Sequence, residues 1–69
     1  MTDLVLESIP FEQRTVFVLF EIEGLPTAEI ADLLQIPLGT VASRLRRGRE
    51  LFTEAINRLE AKLIRVGVP

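Results

Sequence analysis

The chain of 69 residues contains no cysteine and no histidine. Without cysteine it can form neither a disulfide framework nor a thiolate metal site. Without histidine it lacks both the commonest general base and the commonest metal ligand of proteins. We therefore expect no cofactor and no metal, and an enzyme is the least favoured class of function because so small a domain offers no deep cleft.

Long apolar runs are also missing. No run approaches the ~20 residues that a membrane-spanning helix needs, and no signal-peptide pattern precedes the first predicted helix. We therefore expect a cytoplasmic protein with no membrane contact. At 69 residues the chain is near the lower limit for folding around its own core, and we expect one domain over residues 1–69.

Basic residues are nearly absent from the first half of the chain. Residues 1–38 contain seven acidic residues and one basic residue, whereas residues 39–69 contain seven basic and three acidic ones. The net charge of −2 therefore hides a dipolar layout, and local potential rather than net charge steers a polyanion toward a surface. The layout predicts a basic end that faces nucleic acid and an acidic end that is left for another partner.

The apolar pattern, the prolines and the glycines predict helices and no strand. The four predicted helices are Asp3–Ile9, Phe11–Glu23, Thr27–Leu34 and a last one from Leu38 to about Val66. Pro10 disfavours helix at the residue before it. Gly24 ends the second helix as a C′ glycine, and Thr27 is expected to be the N-cap of the third.

The stretch at about residues 27–50 has the spacing of a helix-turn-helix. Ala31, midway along the first helix of the pair, is small enough to let two helices cross, and Ile36 fills the gap at the turn. Val41 and Leu45, four residues apart, place two apolar groups on the inner face of the second helix. That second helix is the one that enters the DNA major groove in this motif. We therefore predict an all-α, four-helix domain of the winged-helix-like or homeodomain-like class that binds DNA.

Each residue of an α-helix is rotated by about 100° from the one before it. By this rule the last helix carries polar and basic residues on the side opposite its inner face. The predicted outer face consists of Thr40, Ser43, Arg44 and Arg47. Hydroxyl groups bond phosphates or bases, and arginine takes guanine O6 and N7 in a bidentate pair. Arg46 and Arg49 point sideways, toward phosphates that flank the groove.

The inner face continues as an apolar stripe over about six turns. Its members are Val41, Leu45, Gly48, Phe52, Ile56, Leu59 and Leu63. We expect the tail at residues 51–63 either to fold back on the first helix or to pair with another copy of the chain. The basic tail residues Arg58, Lys62 and Arg65 lie on the side of Arg44, but Arg58 is ~21 Å further along the axis. We interpret these three as a solvated face.

Short motifs run from Ile9 to Phe52. They are Ile9-Pro10 with Arg14, Glu23-Gly24-Leu25, Ile30-Ala31, Gly39-Thr40-Val41, Ser43-Arg44-Leu45, Arg47 and Arg49-Glu50. Together they resemble region 4 of the sigma-70 family, and within it the extracytoplasmic-function (ECF) group. The resemblance covers about two thirds of the chain.

This resemblance implies a function and partners. It implies recognition of the promoter −35 element by the C-terminal domain of a sigma factor that directs RNA polymerase to transcription initiation. It also implies docking on the flap of the RNA polymerase β subunit, with capture by an anti-sigma factor as a further option. The predicted DNA-binding residues are Thr40, Ala42, Ser43, Arg44, Arg46, Arg47, Arg49 and, from the opening motif, Arg14.

The chain departs from the family pattern at three positions. Ala42 stands where Lys or Arg is common, and it can still touch a thymine methyl group. Phe20 stands where a basic residue is common, and Pro26 where Ser often precedes the paired helices. The family's region 2, which melts the promoter, is absent, so we expect either a fragment of a longer sigma factor or a free-standing relative.

Two alternatives stay open. Output domains of response regulators share the Gly-Leu-x-x-x-Glu-Ile-Ala and Thr-Val spacing, but Lys-x-His usually follows there, whereas this chain has Ala-Ser-Arg. The other alternative is an adaptor that binds proteins and no longer binds DNA. It is supported by apolar residues around nearly the whole second helix: Val16, Phe17, Val18, Leu19, Phe20 and Ile22. In a sigma factor, a polymerase flap or an anti-sigma factor would cover the same helix. A DNA titration therefore separates the adaptor from the sigma factor.

Overall fold

The computed structural model describes the backbone of residues 2–65 and the side chains of residues 5–63. Within that part the helices are α1 (Thr2–Glu7), α2 (Phe11–Phe17) with a π-helical continuation (Val18–Ile22), α3 (Thr27–Leu34) and α4 (Leu38–Arg65). No strand occurs between residues 2 and 65. The prediction of an all-α fold with four helices and a helix-turn-helix is confirmed. The predicted end of the last helix, at Val66, lies outside the described residues.

α1 ends at Glu7, earlier than the predicted Ile9. Pro10 disfavours a helical conformation of Ile9, so the chain leaves the helix through a short turn. In that turn the Ser8 hydroxyl donates to the Val5 carbonyl at 2.6 Å. Val5 and Ile9 are both buried, which fixes α1 against α4.

α2 does not continue as a regular α-helix to Glu23, as predicted, but changes to π-helical geometry at Val18. The Glu23 N–H donates to the Val18 carbonyl, five residues back, at 3.0 Å. Gly24 then ends the helix with a φ of 77°, a conformation that glycine adopts at no steric cost. The ending at a C′ glycine is therefore as predicted, and the Leu25 N–H reaches back to the Leu19 carbonyl at 2.9 Å.

The predicted cap of α3 is wrong. The N-cap is Pro26 in an extended conformation, and no side chain caps the helix. An N-cap has non-helical dihedral angles, and because Pro26 takes that position, Thr27 is already the first helical residue. At the other end Gln35 is left-handed, with a φ of 57°, and its side-chain amide donates to the Asp32 carbonyl at 2.7 Å. The predicted turn after α3 is confirmed.

The core lies where α2, α3 and the first half of α4 meet. Its buried centre consists of Val16, Phe17, Ile30, Val41 and Leu45. Gly48 lets α2 approach α4 closely, since a Cβ at this position would lie 3.2 Å from the carbonyl oxygen of Gln13. The Phe17 and Phe52 rings stack with centroids 4.8 Å apart. Ile36 packs against this cluster from the turn, as the helix-turn-helix spacing predicted.

The apolar stripe of α4 is not buried over its whole length. Leu59 is half-buried, and Leu63 keeps 40% of its surface exposed. With six residues, α1 is too short to cover the last turns of a helix of 28 residues. The prediction of a core stripe over six turns is therefore wrong for its last part. In the described residues α1 contacts α4, and Val5 lines a groove together with Ala55 and Leu59 of the tail. This is the first of the two expected arrangements.

Candidate nucleic-acid interface

The exposed side of α4 lies opposite its buried residues. Val41 is fully buried and Leu45 is 7% exposed, so positions about half a revolution away point to solvent. Between Val41 and Arg47, four exposed side chains occupy that side and its edges: Ala42, Ser43, Arg46 and Arg47. We call these four residues the outward face. The turn at Gln35 and the packing of α3 hold it in place.

Arg44 does not belong to the outward face, contrary to the sequence prediction. Its side chain is 26% exposed, and its Nη2 lies 3.5 Å from Oε2 of Glu12 in α2. Thr40 is also half-buried, and its carbonyl accepts a hydrogen bond from the Ser43 hydroxyl at 3.3 Å. The reason is that α2 packs across α4 at Gly48, which covers one edge of the predicted face.

Arg49 lies on the other flank of α4, as its predicted sideways orientation requires. Its Nε donates to Oε2 of Glu21 at 2.8 Å. Its Cζ lies 5.3 Å from the centroid of the Phe20 ring. Both partners belong to the π-helical segment of α2, and no pattern in the sequence pointed to either of them.

Arg46 and Arg47 are the two arginines of the outward face. Nη1 of Arg47 lies 3.1 Å from Oε1 of Glu50, and both side chains are 53% exposed. Exposed pairs of this kind contribute about 0–1 kcal/mol, so a phosphate or a base edge can replace the carboxylate at little cost. Arg46 lines a shallow groove of about 390 Å³ with Thr27 and Arg49. Among the side chains described, Arg46 takes part in none of the ion pairs.

Arg14 stands apart from the predicted set on α4. It lies in α2, with its Cζ 5.9 Å from the centroid of the Phe11 ring. Within residues 5–63, no hydrogen bond or ion pair joins its side chain to α4. The structure thus brings seven of the eight predicted residues onto one helix, with Arg14 on the helix beside it.

The acidic residues of the first half of the chain and the basic residues of the second half are not kept apart in the fold. Glu12 and Glu21, from the acidic half, lie against Arg44 and Arg49, from the basic half. The expected dipolar layout is therefore wrong at this surface, because α2 packs directly beside α4. Three of the four arginines between residues 44 and 49 have a carboxylate partner, so the free surface is less basic than the sequence predicted.

A family model described as "Sigma-70, region 4" matches residues 2–52. The chain belongs to this family. The match extends from α1 to the middle of α4 and so includes both helices of the helix-turn-helix and the whole outward face. Region 4 is a DNA-binding domain of sigma factors and a transcription-factor domain rather than an enzyme.

Curated relatives share this region with the chain. RNA polymerase sigma-H factor of Pseudomonas aeruginosa is 41% identical over 54 residues, which cover 78% of this chain and 28% of that protein. ECF RNA polymerase sigma factor SigW of Bacillus subtilis is 43% identical over 51 residues, covering 74% and 27%. ECF RNA polymerase sigma factor SigE of Mycolicibacterium smegmatis is 51% identical over 45 residues, covering 65% and 18%. These names agree with a region 4 of the ECF type.

The chain spans less than a third of the length of each of these relatives. The shared part is therefore region 4 alone. No solved structure matches the chain.

A second groove of this region 4 lies between α1 and the tail of α4. Its volume is about 500 Å³. It is lined by Val5, Ser8, Ala55, Arg58, Leu59, Ala61 and Lys62. Arg58 and Lys62, which were predicted to form a solvated face, thus border an apolar groove. The side chain of Arg65 lies outside the described residues.

No three or more acidic side chains of the described part lie close enough together to hold a metal ion. None of the helices described between residues 2 and 65 has the length and apolar character needed to cross a bilayer.

Proposed function

We propose that this region 4 binds the −35 element of promoters, as the C-terminal domain of an ECF sigma factor that directs RNA polymerase to transcription initiation. The observation that carries the proposal is the outward face of α4. Its four side chains are all exposed, and they lie on the helix that enters the major groove in a helix-turn-helix.

Base recognition is assigned to Ser43, Arg46 and Arg47. An arginine can form a bidentate pair with guanine, and a serine hydroxyl can bond several base edges. Ala42 offers a methyl group to the methyl of thymine. In this assignment Arg46 takes the base contact that was predicted for Arg44, because the Arg44 side chain is turned toward Glu12 of α2.

Phosphate binding is assigned to Arg44 and Arg49, on the two flanks of α4. Contacts with phosphates fix the register of a protein on DNA but carry no sequence information. Thr40 and Arg14 are kept as secondary phosphate contacts, since hydroxyl and guanidinium groups both bind phosphate oxygens.

The test is a titration of the 69-residue chain with duplex DNA at several salt concentrations. If about 4–5 phosphates are contacted, the logarithm of the affinity should fall with the logarithm of the salt concentration with a slope of about −3 to −5. We expect weak binding, because so few phosphates are contacted. Salt-independent binding, or none at low salt and millimolar protein, would contradict DNA binding.

One observation favours the adaptor as a second candidate function. Large apolar side chains stay exposed on several elements, with Phe11 71%, Leu33 62% and Ile22 56% exposed. Exposed apolar groups of this size are typical of surfaces that bind other proteins. A chain that binds polymerase but fails the DNA titration would be this adaptor.

We further propose that the groove between α1 and α4 docks on the flap of the RNA polymerase β subunit. Its apolar lining includes Val5 and Leu59, and Arg58 on its edge is ~21 Å along the axis from Arg44. The groove therefore stays accessible when the outward face is on DNA. An anti-sigma factor that covered the groove would compete with polymerase.

A further inference from the structure

We propose that Phe20 and Glu21 are positioning residues that hold the guanidinium of Arg49 ready to bind a DNA phosphate. The inference rests on the proposed DNA-binding function, because it concerns how one of its phosphate contacts is prepared. Neither Phe20 nor Glu21 is assigned a contact with DNA itself.

The first observation is that Arg49 binds Glu21 through Nε and not through either terminal nitrogen. Nε donates to Oε2 of Glu21 at 2.8 Å. A guanidinium has five N–H groups, so this bond leaves the four on Nη1 and Nη2. Among the side chains described, no other hydrogen bond from this guanidinium is present. The planar fork that binds phosphate in a bidentate manner is therefore intact.

The second observation is the ring of Phe20. Cζ of Arg49 lies 5.3 Å from its centroid, within the range of a cation–π contact. Phe20 itself is half-buried and packs against the core, so its ring is a fixed support. The ring supports one face of the guanidinium, and the carboxylate holds its inner edge.

The third observation is that Phe20 and Glu21, which both contact Arg49, lie in the same π-helical segment. Phe20 and Glu21 are adjacent in the chain, and in a regular α-helix adjacent side chains diverge by about 100°. Both lie in the π-helical segment Val18–Ile22, whose wider turn reduces that divergence. Single π-helical turns inside α-helices are frequent at functional sites. Here the turn lets two neighbouring side chains reach the same arginine.

The energetic consequence is a smaller entropy loss on binding. Immobilising a free arginine side chain on DNA costs conformational entropy, and Arg49 is already restrained in the free protein. The restraint does not trap it, because the Arg49 side chain is 53% exposed and that of Glu21 is 36% exposed. At such exposure water weakens the attraction between the two charges.

In the opposite role, Glu21 competes with the DNA phosphate for Arg49. A carboxylate next to a phosphate-binding arginine repels the phosphate, and its removal would then tighten binding. Glu21→Gln and Glu21→Ala separate the two roles, because both remove the charge and only glutamine keeps an oxygen that accepts from Nε. Phe20→Tyr and Phe20→Leu form a second matched pair, in which only tyrosine keeps the ring.

The experiment measures the affinity of the full chain and these four variants for one random-sequence duplex at low salt, with helix content checked by circular dichroism. Glu21→Ala should bind about two- to fivefold more weakly than Glu21→Gln. Phe20→Leu should bind about two- to fivefold more weakly than Phe20→Tyr. All four variants are then repeated with Arg49→Ala, where each ratio should return to about one.

The outcomes distinguish the inference from the function on which it rests. Absence of DNA binding by the unsubstituted chain overturns both. Normal binding of that chain with Glu21→Ala as tight as Glu21→Gln, or tighter, overturns the positioning role alone. Ratios that persist in the Arg49→Ala background show a structural effect on the domain and also overturn it.

Discussion

The two halves of α4 carry the same apolar spacing in opposite surroundings. In the first half α2 and α3 bury Val41 and Leu45. In the second half α1 lies alongside, Leu59 is half-buried and Leu63 is 40% exposed. The comparison shows that apolar periodicity tells which face of a helix can be buried, and that the neighbouring elements decide how much of it is.

The basic residues of the two halves differ in the same way. In the first half, Arg44 and Arg49 are held by carboxylates of α2. In the second half, Arg58 and Lys62 border an apolar groove. Basic residues of equal charge on one helix thus lie in different surroundings, carboxylates at one end and an apolar groove at the other.

Matched leucine truncations should give the largest difference between the halves. Leu45→Ala removes a side chain that is 7% exposed and should lower the free energy of unfolding by about 2–5 kcal/mol. Leu63→Ala should lower it by about 0.5 kcal/mol, as expected for a surface position. Urea denaturation followed by circular dichroism measures both. An equal cost at the two positions would mean that Leu63 is buried, by a second copy of the chain if the transition depends on protein concentration and by a further element of the same chain if it does not.

Matched arginine truncations compare the two halves in DNA binding. Arg47→Ala should weaken binding to the preferred duplex by about 1–3 kcal/mol and reduce discrimination against its base-pair variants. Arg58→Ala should leave both unchanged, because ~21 Å of helix separates it from Arg44. Each variant is titrated against a set of promoter duplexes at fixed salt. If Arg47→Ala weakens every duplex alike, Arg47 holds a phosphate and the bases are read elsewhere.

A substitution in the second half of α4 should weaken binding to polymerase and leave binding to DNA unchanged. Ala61 is exposed and lines the groove between α1 and α4, so Ala61→Arg fills the groove without disturbing the core. We expect about tenfold weaker binding to core RNA polymerase, about the size of a moderate interface contact, and unchanged DNA affinity. Asn57→Arg adds the same side chain at an exposed position outside the groove and is the control. Equal loss with both variants would point to charge rather than to the groove.

The helix-turn-helix could be predicted because its signals are local. Gly24, Pro26 and Pro37 mark the boundaries, and Val41 and Leu45 mark the inner face of α4. The prediction for the cap of α3 was wrong because Pro26, with an extended ψ of 152°, is the N-cap, and Thr27 already lies in the helix.

The flanks of the candidate site could not be predicted, because they depend on how α2 crosses α4. Rotation about the axis of α4 gives the direction of Arg44 but not the presence of Glu12 beside it. That contact follows from the close approach at Gly48, which is a feature of long-range packing. The π-helical turn that carries Phe20 and Glu21 likewise has no signature in the order of its residues.

α4 is also a lever. Its 28 residues form one continuous helix about 42 Å long, with the outward face near one end and the second groove near the other. Since ~21 Å of rigid helix separates Arg47 from Ala61, a tilt of about 10° imposed at the groove sweeps the recognition end by about 4 Å. That distance exceeds the length of a hydrogen bond. In the proposed function, the angle at which a protein partner holds the tail would therefore decide whether the arginines at the other end reach a base edge or miss it.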